Sequence, residues 1–235
     1  MPLIWSVTGE GLEYLIGGVD AAMNGSHVAT VLDAINRRDA LLIIGCSKAK
    51  TTGGQALTPE AKTIWPGPML RARADVLARS KVEGRYQLPA WRRYSGHFYR
   101  NVGDALGEAI SNGRTLILSG GYGVVRGDEP IAYYDRKLKL RDWPPGLLER
   151  TLVDETLRVG ATKVIGFVSA SGDYAKLLRK TSWGTAGINA TLVTIDWHTG
   201  GAQIEVPRRL AQAFSAWWNR TPADYPAGMI AEPLR

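Results

Sequence analysis

Four short apolar runs, separated by helix-period stretches, constrain what this chain can fold into. They are LLIIGCS (41–47), TLILS (115–119), KVIGFVSA (163–170) and ATLVTIDWH (190–198). Continuous apolar runs of this length, without polar alternation, read as strands buried on both faces. Between them, FYRNVGDALGEAIS (98–111) has helical spacing through Phe98, Val102, Leu106 and Ile110 and ends at Asn112-Gly113. GLLERTLVDETLRVG (146–160) is amphipathic, with Gly160 at its end, and SGDYAKLLRK starts at a cap residue, Ser171 or Asp173. PRRLAQAFSAWWN (207–219) closes the chain with Pro207 in its first turn, and an earlier helix starts at Pro59, breaks near Pro66 and Pro68, and resumes through MLRARADVLARS. Strands alternating with helices require crossover connections. The expected class is therefore α/β, a mostly parallel central sheet with flanking helices over residues 40–220. Residues 1–39 read as a helical N-terminal extension and 221–235 as an irregular Pro-rich tail. Residues 81–96 read as irregular and 120–135 as a Gly-rich loop.

Composition narrows the class. The 235 residues are 45% hydrophobic, enough for a sizeable core. No apolar run approaches the roughly 18–20 residues of a membrane span, and the N-terminus lacks a signal-peptide pattern, so a cytoplasmic location and no membrane partner are expected. One cysteine and three histidines are too few for an internal disulfide or a zinc site, so no metal or cofactor is expected. No obligate protein partner is indicated. The net charge of +7 is unevenly spread: residues 62–141 hold 15 Lys and Arg against 7 Asp and Glu, while the remainder is nearly neutral. A basic block on a neutral body suits a polyanion such as nucleic acid; the alternative is a basic solvated surface.

In a parallel sheet ligands bind at the carboxyl ends of strands. Three strands end in small polar or glycine turns, at Gly45-Cys46-Ser47-Lys48, Ser119-Gly120-Gly121-Tyr122-Gly123 and Ser169-Ala170-Ser171-Gly172-Asp173-Tyr174. These turns converge on one edge if the strands are parallel. The third suits either an anion at a helix N-terminus or ordinary capping. The first matches no phosphate-loop motif, and Lys48 and Lys50 suit a nucleic-acid backbone or plain solvation. The second surrounds Tyr122 with glycines, followed by Asp128, Glu129, Tyr133 and Tyr134. That suits a flat base and a cationic transition state, or else a tight turn with solvated acids and core tyrosines. Cys46 has no histidine partner and reads as a small buried residue. Trp91, Tyr94 and Tyr99 interleave with Arg92, Arg93 and Arg100, as a nucleic-acid surface would require.

Taken in order, CSKAK, YSGHFY, LSGGYGVVRGDEPIAYYD and SASGDYAKLL resemble the YaaA-like superfamily, over roughly residues 41–180. The matching positions are Tyr94-Ser95-Gly96, then Ser119, Gly120, Tyr122, Gly123, Asp128, Glu129 and Tyr134, then Ser171, Asp173, Tyr174 and Lys176. Gly127 and Pro130 alter the spacing to the acids, so the equivalent acid stays open between Asp128 and Glu129. The resemblance implies DNA binding and, for some members, cleavage of the bond between a base and its sugar. Placement of relatives beside defence genes implies modified viral DNA as substrate. A glucosylated pyrimidine such as glucosylated hydroxymethylcytosine is the first to try, because its bulk calls for a roomy pocket and the glycine-rich loop could give one.

On that expectation the chain is a DNA glycosylase acting on a duplex with a flipped base. The base pocket comprises Cys46, Ser47, Tyr94, Ser119, Gly120, Gly121, Tyr122 and Tyr134. Asp128, Glu129 or Asp173 supplies the catalytic carboxylate. Lys48, Lys50, Arg92, Arg93, Arg100, Arg126, Arg136, Lys137 and Lys176 hold DNA. The alternatives are a non-catalytic DNA-binding stress protein and a nucleotide-binding sensor.

Overall fold

The computed structural model describes residues 26–56 and 65–235. The expected helix start at Pro59 and most of the N-terminal extension lie outside the described residues. The helices are α1 (Ser26–Asp33), α2 (Gly67–Ala78), α3 (Ala90–Arg93), α4 (His97–Asn101), α5 (Asp104–Ser111), α6 (Leu147–Arg158), α7 (Asp173–Lys180) and α8 (Ala202–Asn219). The strands are β1 (Ala40–Gly45), β2 (Gln55–Ala56), β3 (Lys81–Pro89), β4 (Thr115–Ser119), β5 (Gly123–Arg126), β6 (Pro130–Asp135), β7 (Lys163–Phe167), β8 (Asn189–Ile195) and β9 (Met229–Leu234).

The four apolar runs form the parallel centre of a six-stranded sheet, ordered β5-β4-β1-β7-β8-β9, with β5 and β9 antiparallel at the edges. Because side chains alternate along a strand, each run feeds two cores. Leu42, Ile44, Ile117, Phe167 and Val193 point to one face, covered by α4, α5 and α8 through Phe98, Leu106, Phe214 and Trp217. Leu41, Ile43, Leu118, Val164 and Leu192 point to the other, covered by α2, α6 and α7 through Met69, Leu152 and Leu178. Among the described residues, no helix is long and apolar enough to cross a membrane.

Several local expectations are corrected. The 98–111 stretch is two helices, because Gly103 takes φ +62° between them. The closing helix starts at Ala202, five residues before Pro207, which sits inside it. Neither Ser171 nor Asp173 caps α7; Gly172 holds that position, with φ +102°. The tail contributes β9 rather than remaining irregular. Residues 81–89 are β3, which joins β2 and β6 in a small antiparallel sheet with a register shift between Glu83 and Gln87. The 120–135 stretch is not one loop: it holds β5, a turn and β6.

Candidate functional site

Since β4, β1 and β7 are parallel neighbours, the turns that follow them meet at one edge. The Cys46 amide donates to Leu118 O (2.9 Å), and its Sγ lies 3.0 Å from the Tyr174 hydroxyl at the head of α7. Ser47 Oγ accepts from the Gly96 amide (3.1 Å) and donates to Ala49 O (2.6 Å). A Cβ at Gly96 would stand 2.6 Å from Ser47 Cβ, so this approach requires glycine. The Tyr99 hydroxyl donates to Gly45 O (2.9 Å), holding α4 to the end of β1.

Beneath this edge lies a closed set of hydroxyls. Tyr94 OH donates to Ser119 Oγ (3.1 Å), Ser119 Oγ lies 2.8 Å from Tyr134 OH, and the two phenols are 2.9 Å apart. Ser119 Oγ also accepts from the Tyr122 amide (3.1 Å). All three side chains are buried. Burial pushes the Tyr94 and Tyr134 hydroxyls well above the ordinary tyrosine range, and it also raises Tyr99 and Tyr174. These groups stay neutral at physiological pH. Lys50 Nζ covers the Tyr134 ring at 4.3 Å and the Tyr94 ring at 5.9 Å, and donates to Lys48 O at 3.3 Å. Burial lowers its pKa, opposed in part by Cys46 and Asp135.

A cleft of about 510 Å³ opens above the end of β1, within the roughly 300–1,000 Å³ range of small-ligand sites. Cys46, Ser47 and Lys48 form one wall, His97, Tyr99 and Arg100 a second, and Gln203 with Pro207 of α8 a third. Cys46, Ser47, Lys48 and Arg100 of the expected site thus meet here. Tyr94, Ser119 and Tyr134 do not line it; they form the buried hydrogen-bonded set beneath the edge. Tyr122 is partly buried, and its hydroxyl accepts from the Ala132 amide (3.0 Å), fixing β6. Gly120 and Gly121 face protein, not a ligand. A Cβ at Gly120 would stand 2.0 Å from Arg136 O, and one at Gly121 would stand 2.7 Å from the Tyr134 ring. These glycines admit the returning chain.

The acids separate. β5 runs back along β4, pairing Arg126 with Leu116, so Asp128 and Glu129 lie at the amino end of β4. The length of β4, roughly 13 Å, separates that end from Ser119. Asp128 is exposed there. Glu129 pairs with Arg73 (2.7 Å) and accepts from Trp65 Nε1 (2.8 Å) and the Arg126 amide (3.2 Å). Arg73 also donates to Tyr122 O (2.8 Å), just before the edge strand β5, and to Val124 O within it. Asp173 alone of the three stands at the carboxyl edge, where its Oδ2 accepts from the Leu140 amide (2.9 Å).

Three expected DNA contacts are structural. Arg93 is fully buried and donates to the carbonyls of Ile131, Tyr86 and Thr51. Arg126 forms a two-pronged pair with Glu155 (3.0 and 3.1 Å), and Arg136 pairs with Asp142 (2.7 Å). Lys48, Arg92, Arg100, Lys137 and Lys176 are exposed. Arg73 and His97 stand outside the expected site residues. Arg73 had a signal: it falls in the buried stripe of α2 with Met69, Ala72 and Val76, and a cation there needs a partner. No protein-family model matches this chain, and no curated protein matches it either.

Proposed function

We propose that this chain binds DNA and releases a modified base, receiving an extruded nucleotide in the cleft above β1. The observation that carries the reading is the cleft itself: Cys46, Ser47 and Lys48 on one wall and Arg100 on the next, with Asp173 at the same carboxyl edge, adjoining Tyr174, whose hydroxyl touches Cys46. Lys48 and Arg100 hold the phosphates on either side of the extruded nucleotide, and Tyr99 and Ser47 border the base. As the glycosidic bond breaks, its electron pair leaves with the base nitrogen and the sugar becomes cationic at C1′. Asp173 stabilises that cation and accepts a proton from the water that attacks C1′; the departing base takes up a proton from solvent.

The test is a strand-cleavage assay on end-labelled duplexes carrying unmodified, uracil, hydroxymethylcytosine or glucosylated hydroxymethylcytosine bases, with hot alkali after protein treatment. A cut confined to one modified duplex, lost in Asp173→Asn while the gel-shifted complex persists, is the expected result. Full cleavage by Asp173→Asn would remove that residue from the chemistry. A second reading, DNA binding without chemistry, draws on the placement of Asp128 and Glu129 away from the cleft. A shifted complex with no cut on any duplex would select it.

A further inference from the structure

On the opposite face of the sheet from the cleft, against α7, lies a larger cavity of about 640 Å³ with a different character. One wall is the 3₁₀ turn at Leu140–Asp142 and the residue before it, contributing Lys139 and Arg141; the other is α7, contributing Lys176, Arg179 and Lys180. Asp173 joins the walls through the Leu140 amide, and is the cavity's lone carboxylate among the described residues. All five cations are exposed. Arg179 is paired with Glu232 (2.7 Å), and Lys176 stands 3.8 Å from Asp173. Lys139, Arg141 and Lys180 have no side-chain hydrogen bond or ion pair among the described residues. Cations gathered around one concavity repel one another, and an anion bound there relieves that repulsion.

We infer that this cavity is a second anion site, holding phosphodiester groups of a nucleic-acid strand that continues out of the cleft. Continuity over the carboxyl edge of the sheet favours a strand: Asp173 lines this cavity, while the adjoining Tyr174 touches Cys46 in the cleft wall, so one backbone crossing that edge can reach both. The inference rests on the DNA-binding half of the proposed function and not on base release.

The test compares duplex affinity, by fluorescence anisotropy from 50 to 200 mM salt, for the wild type and the Lys139→Ala/Arg141→Ala/Lys180→Ala variant. Each phosphate contact contributes about 0.9 to the slope of log K against log salt. The variant is expected to lose about 2–3 units of slope, so that over this range the wild type weakens roughly 40-fold more than the variant. A control, Arg38→Ala/Arg114→Ala/Lys163→Ala at the amino edge of the sheet, removes equal charge and is expected to keep the wild-type slope. Equal losses in both variants, or none in either, overturn the inference while DNA binding stands. Absence of duplex binding by the wild type overturns both. A thermal shift with inorganic triphosphate that the cavity variant loses, alongside unchanged duplex binding, assigns the cavity to a free polyphosphate instead.

Discussion

Replacing Arg73 by Met tests whether Glu129 serves the fold rather than chemistry. Arg73 is 6% exposed and makes three kinds of contact: the ion pair with Glu129, bonds to the carbonyls of Tyr122 and of Val124 on β5, and stacking over the Trp65 ring at 4.6 Å. Methionine keeps much of the volume and removes all of them. Glu129, its side chain 13% exposed, is left with the Trp65 indole and the Arg126 amide against a full negative charge. Breaking a buried pair from one side costs about 3–5 kcal/mol, mainly because a charge is stranded. Glu129→Gln retains an acceptor for Trp65 and the Arg126 amide and is expected to cost roughly 1.5–3 kcal/mol. The double variant strands no charge, so its cost falls short of the sum by roughly 1–3 kcal/mol. Urea unfolding followed by tryptophan fluorescence and far-ultraviolet circular dichroism measures all three. A cost for Arg73→Met below about 1 kcal/mol, with additive costs in the double variant, would refute the structural role of the pair. Well below its midpoint, Glu129→Gln is further expected to keep DNA retention and base release.

Two further outcomes can be checked on the folded protein. Tyr94, Tyr99, Tyr134 and Tyr174 are all pushed above the ordinary tyrosine value by burial. The unfolded chain therefore loses protons first as pH rises past about 10, and stability, fully present below that, falls by about 1.4 kcal/mol per pH unit for each tyrosine. The share of the 295 nm absorbance that belongs to these four tyrosines should appear together with unfolding; its gradual appearance in a still-folded protein would contradict their burial. Gly96→Ala forces a Cβ to 2.6 Å from Ser47 Cβ and is expected to cost about 1–3 kcal/mol. Adding Ser47→Gly removes the opposing atom and should recover part of that loss in a thermal melt; no recovery would show that another contact sets the cost.

The parallel centre of the sheet was legible because each of its strands is an uninterrupted apolar run, and that pattern is local. The edges were not. β5 is four residues, GVVR, starting at a glycine and followed by Gly127, and β9 carries Pro233; both gain their order from pairing with β4 and β8. Missing β5 had the largest consequence. Read as loop, residues 120–135 keep Asp128 and Glu129 beside Tyr122, whereas the strand carries the turn to the other end of β4. Tyrosines and arginines were ambiguous for a related reason: Tyr94 and Arg93 are adjacent in a basic, aromatic segment, and most of the partners that hold them lie 25–42 residues away. Cys46, Ser47 and Lys48 were easier, because a turn after a buried strand has its place fixed by the strand.

The hydroxyl set under the cleft has a mechanical meaning as well. Ser119 ends a strand of the large sheet, Tyr134 belongs to the small sheet, and Tyr94 follows a short helix between them. A ring of hydrogen bonds ties the three together, with each oxygen relying on the other two. None of these elements can shift alone without breaking the ring, so the two sheets and the intervening helix move as one body at this point. Across descendants of the gene, the three positions are expected to behave as a single heritable unit, kept together or replaced together by apolar side chains.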